Sequence, residues 1–185
     1  MRGGGESERG ELRVFGVDPG TAVTGWGVIE RRGREVVHLG HGTVATRPRT
    51  TLPVKLAAIH RALSDRCAEW QPHVLVIEKS FVGRNVQSAF RLGEVRGVAM
   101  LVAATAGLAV AEYSPAEVKL AVTGAGRAEK VQVALAVARE LALAEAIPPD
   151  AADALAVALC HLQSARLRAI LAGVGSERAP LPVGV

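Results

Sequence analysis

The chain has 185 residues, enough for one domain with a sizeable core. Apolar residues make up 49% and charged residues 22%, which excludes a disordered chain, while aromatics are only 3%. A formal charge of +4 permits a polyanionic partner without requiring one, so the partner class has to come from motifs.

The opening "MRGGGESERGEL" has no apolar segment of the signal-peptide kind and reads as a disordered leader. "LRVFGVD" (Leu12 to Asp18) is a short apolar run closed by Asp-Pro-Gly, a strand followed by a turn. Thr24 to Thr46 alternates as two strands joined at Arg32-Gly33-Arg34. Leu56, Ile59, Leu63 and Cys67 recur at helical spacing and predict a helix over Leu52 to Trp70. "HVLVIE" (His73 to Glu78) lacks alternation, the sign of a strand buried on both faces. After the loop "KSFVGRN", a Gly/Ala-rich helix is predicted over Val86 to Ala106 and a strand over Leu108 to Tyr113.

Ser114, Pro115 and Glu117 form a capping-box start for a short helix. Two further helices follow, over Arg127 to Leu143 and from Pro149 to about Leu167, before a Gly/Pro-rich tail from Gly173. The order β-β-β-α-β-α-β-α-α-α describes an α/β fold with a mixed sheet: a three-strand meander, then parallel strands reached by helical crossovers. The longest apolar run, Val98 to Ala111, is too short to span a bilayer. Cys67 and Cys160 have no metal-type spacing. A soluble, cytoplasmic protein with reduced thiols and no membrane partner is expected.

Four acids stand out. Asp18 ends the first strand, where it can satisfy turn amides or serve chemistry. Glu78 ends a strand buried on both faces, where a carboxylate is costly without a partner. Asp150 and Asp153 lie about 60° apart around a helix and about 4.5 Å along it, on one face. Taken alone, the pair is explained somewhat better by helix capping than by metal binding. His161, about 16 Å further along the axis, is out of reach of the pair and reads as a core or surface histidine. Brought together, the four acids would repel by roughly 4 kcal/mol per close pair and would need cations. All-oxygen ligation selects Mg²⁺ or Mn²⁺, and two such ions suit phosphodiester hydrolysis.

At these residues the sequence closely resembles the RuvC family of bacterial Holliday-junction resolvases. The likeness runs from "GVDPGTAVTGWGVIE" through "VIEKSFVGRNVQSAFRLGEVRGVA" and "EYSPAEVKLAVTGAGRAEKVQV" to "DAADALAVALCH", about residues 12 to 167. The resemblance implies an RNase H-like fold with a mixed five-stranded sheet flanked by helices. It divides the chain into a leader over 1–11, the resolvase domain over 12–168 and a flexible tail over 169–185. It implies Asp18, Glu78, Asp150 and Asp153 as catalytic, metal-binding acids with two Mg²⁺ or Mn²⁺ ions. Phe81 would stack on a base at the junction centre, flanked by Lys79 and Arg84 as DNA contacts. Lys119 and Lys130 would lie near the scissile phosphate, and Arg84, Arg91 and Arg96 would extend the phosphate track. The implied enzyme is a homodimer, paired through the helix beginning at Val86. It would nick two like-polarity strands of a four-way DNA junction symmetrically, in recombination and repair, alongside the RuvA–RuvB branch-migration complex.

Three rivals share features of the sequence. "GVDPGT" also resembles the phosphate loop of actin/sugar-kinase-type ATPases, which need two domains where this chain has length for one. YqgF-type RNase H-like nucleases acting on RNA share the same signature but are not expected to carry the aromatic loop or the full lysine set. A non-catalytic junction-binding protein would not need all four acids.

Overall fold

The computed structural model describes residues 11–79 and 86–176, with side chains placed over 11–79 and 87–165. Ten elements follow in order: β1 (Leu12–Asp18), β2 (Val23–Arg32), β3 (Glu35–Ala45), α1 (Leu52–Trp70), β4 (Val74–Glu78), α2 (Val86–Thr105), β5 (Ala109–Tyr113), α3 (Pro115–Thr123), α4 (Lys130–Glu140) and α5 (Pro149–Ser176). They build one five-stranded sheet in the order β3-β2-β1-β4-β5. The meander β1–β2–β3 is antiparallel, while β1–β4 and β4–β5 are parallel. This is the expected mixed sheet flanked by helices.

Each face of the sheet carries its own core. On one face Val14, Val74 and Val76 pack with Val118 of α3, Val133 and Val137 of α4, and Leu155 and Leu159 of α5. On the other, Phe15, Val17, Leu75 and Ile77 pack with Ile59 and Leu63 of α1 and with Val95, Ala99 and Val102 of α2. Alternate residues of β1 and β4 thus point to opposite faces, which is why those strands read as unbroken apolar runs.

Helix α5 lies directly on β1 and β2 because glycines make room for it. A Cβ on Gly16 would overlap the carbonyl of Ala154, and one on Gly25 would overlap the carbonyl of Asp150. Glycine at these two positions permits a backbone-to-backbone approach that any other residue would block.

Most predicted boundaries fall within a residue or two, with two differences. Helix α4 starts at Lys130 rather than Arg127 and stops at Glu140 rather than Leu143. Glu129 is the N-cap, its backbone N–H donating to Gln132 Oε1 at 2.8 Å, and Ala142 takes a positive φ of 51° just past the end. Helix α5 continues to Ser176, past the stop expected near Leu167 and into the segment assigned to the tail. No glycine or proline interrupts "ALAVALCHLQSARLRAILA", so nothing local ends the helix there. No helix among the described residues is long and apolar enough to cross a membrane. Cys67 and Cys160 are free and buried, and burial pushes both thiols up to about 11.

Candidate active site

The site is assembled from strand ends on the α5 face. Val17 and Ile77 belong to the α1/α2 core, so their successors Asp18 and Glu78 project to the opposite side, toward α5. Strands β1 and β4 are parallel neighbours with Val17 beside Ile77, so the two acids leave the sheet at the same edge. The turn after Asp18 is held by the buried Thr24, whose hydroxyl donates to the Gly20 carbonyl at 2.7 Å and accepts from Gly20 N–H at 3.3 Å. Asp150 lies in the first turn of α5 and Asp153 one turn on, delivered to Asp18 by the glycine-permitted seat of that helix.

A cleft of about 270 Å³ results, lined by Asp18, Glu78, Lys119, Lys130 and Asp153 with Pro115, Val118, Val133 and Ala156 as its apolar floor. Lys119 comes from α3, which starts at the Ser114–Glu117 capping box expected from the sequence. Lys130 opens α4, and its ammonium donates to Asp153 Oδ2 at 2.9 Å. Asp150 does not line the cleft itself but stands close enough to act on Asp18 electrostatically.

The charges report this crowding. Burial, then the carboxylates of Asp153, Glu78 and Asp150, raise Asp18 from 3.8 to about 7, with Lys130 opposing. Burial and Asp153 also raise Glu78, against the pull of Lys130 and Lys119. The hydrogen bond to Asp153 raises Lys130. Four acids face two lysines here, so the cluster is under-neutralised by the protein's own cations. A carboxylate raised to about 7 by burial and by neighbouring acids marks a place where a divalent cation would relieve the repulsion. The donors are all carboxylate oxygens, which suits a hard ion rather than zinc. No three His, Cys, Asp or Glu side chains among the described residues yet converge closely enough to hold one ion.

The other expected site residues divide. Lys79 is exposed, its backbone N–H donates to the Tyr113 carbonyl at 2.7 Å, and its charge reaches Glu117 at the start of α3. Phe81 and Arg84 lie outside the described residues. Arg91 is exposed on α2. Arg96, expected on the phosphate track, turns inward instead: its guanidinium donates to the Glu78 carbonyl and pairs with Glu112 on β5. His161 is a core histidine, its Nδ1 3.0 Å from the Tyr113 hydroxyl. Thr24 and Glu112 were missed by sequence reasoning. A threonine within a strand gives no sign of its loop contact, and a lone glutamate in "VAEY" looks like an ordinary exposed acid.

Comparisons with known proteins agree with this geometry. Residues 14–161 match the family described as crossover junction endodeoxyribonuclease RuvC. A protein of that name from a Geobacter species is 42% identical over 161 residues, covering 87% of this chain and 98% of the relative. The solved structure of Thermus thermophilus RuvC in complex with a Holliday junction substrate is 34% identical. It superposes with a TM-score of 0.80, covering 85% of this chain and 96% of that one. The yeast mitochondrial Holliday junction resolvase, 12% identical with a TM-score of 0.62, shares the fold.

Proposed function

The chain belongs to the crossover junction endodeoxyribonuclease RuvC family, and we propose that it resolves Holliday junctions by nicking two strands of a four-way DNA junction. The observation carrying this reading is the convergence of acids from β1, β4 and α5 in one cleft flanked by Lys119 and Lys130. Asp18, Glu78, Asp150 and Asp153 are the catalytic acids, and together they would hold two Mg²⁺ or Mn²⁺ ions. When bound, such ions activate a water and stabilise the leaving 3′ oxygen of a phosphodiester.

The chain's own residues do the rest. The under-neutralised carboxylates repel DNA phosphate until cations are in place, so cleavage depends on divalent metal. Lys130 engages only Oδ2 of Asp153, so Oδ1 stays available to a cation, and the other N–H groups of the ammonium stay available to a backbone phosphate. Lys119, on the Glu78 side of the cleft, offers the second positive contact. Phe81 stacks on an unpaired base at the junction centre, with Lys79 and Arg84 beside it on the backbone; one such stack is worth roughly 1–3 kcal/mol.

Cutting two strands symmetrically needs two such clefts, and a homodimer formed through α2 provides them. The outer face of that helix supports this: Phe90 is 71% and Leu101 53% exposed, on either side of Gly97. A cytoplasmic setting and cooperation with a RuvA–RuvB branch-migration complex belong to the same reading.

The test is a synthetic four-way junction and a matched linear duplex, each incubated with Mg²⁺ or Mn²⁺ and run on a denaturing gel. Paired nicks at symmetric positions in the junction alone are expected. Cleavage confined to RNA would favour a YqgF-type nuclease, and ATP turnover a kinase-type ATPase. Junction binding without cutting under every metal condition would leave a non-catalytic binding protein.

A further inference from the structure

Glu78 is held from both sides of the sheet. Its carboxylate enters the cleft on the α5 face, while its main-chain carbonyl accepts Arg96 Nη1 at 2.5 Å from α2, on the opposite face. The β1–β4 ladder ends at Val17–Ile77, one residue short of Glu78. The carbonyl therefore lies just where strand pairing with β1 has run out, and a side-chain donor takes over.

The same guanidinium forms an ion pair with Glu112, the β5 residue beside Ile77. Ile77 packs in the α2 core, so Glu112 and Arg96 share that face of the sheet. The Glu112 oxygen in the pair is buried and has no hydrogen-bond partner among the described residues, which leaves Arg96 as its compensating charge. Arg96 is itself only 15% exposed. A guanidinium carries five N–H donors in a rigid fork, so it can donate to a carbonyl while pairing with a carboxylate. Resting on α2, it ties the end of β4 to β5 and to that helix.

We propose that Arg96 is a positioning residue for cleavage: by clamping the Glu78 carbonyl to Glu112 and α2, it fixes where the Glu78 carboxylate stands in the cleft. The proposal rests on the reading of Glu78 as a catalytic acid. It removes Arg96 from the DNA-binding track, since both ends of its fork are engaged away from the α5 face. It also makes α2 a mechanical part of the active site, because a shift of that helix displaces the end of β4.

The experiment measures single-turnover cleavage of a four-way junction, and junction affinity over a series of salt concentrations, for Arg96→Met, Arg96→Lys and the double variant Arg96→Met/Glu112→Met. The double variant also removes Glu112, whose buried Oε1 would otherwise lose its compensating charge, and keeps the clamp absent if the single variant is poorly folded. A displacement near 1 Å of a catalytic group lowers rate by up to about a hundredfold. Both methionine variants should therefore cut roughly 10- to 100-fold more slowly, with junction Kd and salt slope unchanged. Arg96→Lys, which can reach one partner but not both, should recover part of the rate. Wild-type rates in the double variant would overturn the proposal. So would a loss confined to affinity with the salt slope reduced by about one, the mark of a phosphate contact. Glu78→Gln is run alongside: cutting by that variant would refute the role of Glu78 itself, whatever the Arg96 series shows.

Discussion

Replacing Asp18 by asparagine should make the metal-free protein more stable at pH 8 while abolishing its activity. Burial and three neighbouring carboxylates hold Asp18 at about 7, against 3.8 for the free side chain. The folded chain therefore binds this proton more tightly than the unfolded chain does. The stability it contributes is fully present below about pH 4 and is lost as pH rises through 7. The interval corresponds to about 4 kcal/mol in full; Asp18 is part-exposed, and solvent screening reduces the measurable part to about 2 kcal/mol. For a domain of this size, 2 kcal/mol moves Tm by about 4–8 °C. The assay is thermal unfolding in EDTA from pH 4.5 to 8.5, followed by circular dichroism. Wild type should lose Tm from pH 4.5 to about 7 and level off above it. Asp18→Asn should lose much less and exceed wild type at pH 8. Glu78, raised in the same sense by burial and Asp153, keeps a residual slope in the variant. Glu30, lowered by its arginine partners despite burial, acts the opposite way: its contribution is lost only as pH falls below about 4.5, outside the decisive window. Two parallel curves, with the variant tracking wild type at every pH, would refute the reading of Asp18 as an ionised acid held at a cost.

Other outcomes follow from the same geometry. Asp150→Asn should abolish cutting yet retain junction binding, measured by gel shift beside the cleavage assay; retained cutting refutes its role as a ligand. Gly25→Ala should cost about 3 kcal/mol in urea unfolding, the upper end for overpacking, and also reduce cleavage, because the added methyl meets the Asp150 carbonyl and lifts the start of α5. Glu30→Gln should cost about 3 kcal/mol, since Glu30 is 1% exposed and bound by Arg13 at 3.0 Å and Arg32 at 2.7 Å. Its cleavage rate below Tm should equal that of wild type, because Glu30 sits at the far end of β2 from the cleft.

Much of this architecture could be read along the chain because local signals agreed with the tertiary result. The apolar run of β1 announced a strand and that of β4 a strand buried on both faces, and the Ser114–Glu117 capping box marked the start of α3 to the residue. Glu78 was conspicuous because an acid at the end of such a strand is costly, whereas Asp18, in an Asp-Pro-Gly turn, could equally satisfy turn amides. What could not be read was anything depending on who meets whom across the sheet. Asp150 and Asp153 alone favoured capping, and only the seating of α5 on Gly16 and Gly25 brings them to Asp18. Arg96 looked like one more cation for DNA until β5 placed Glu112 beside it. The C-terminal end of α4 was misplaced because the Ala/Leu pattern continues through Leu141-Ala142-Leu143, past the point where Ala142 takes a positive φ.

The contact between α5 and the sheet has a further consequence for how such a site can change over time. Where Gly16 and Gly25 meet the carbonyls of Ala154 and Asp150, main chain rests on main chain, and there are no rotamers to adjust. Side chains elsewhere in the two cores can be exchanged for others of similar volume at modest cost. This joint has no such latitude, so the spacing of Asp18, Asp150 and Asp153 depends on keeping glycine at positions 16 and 25. The β1–β2 hairpin with the first two turns of α5 is then the smallest piece that carries three of the four carboxylates in fixed relation, and the natural unit to graft onto another scaffold.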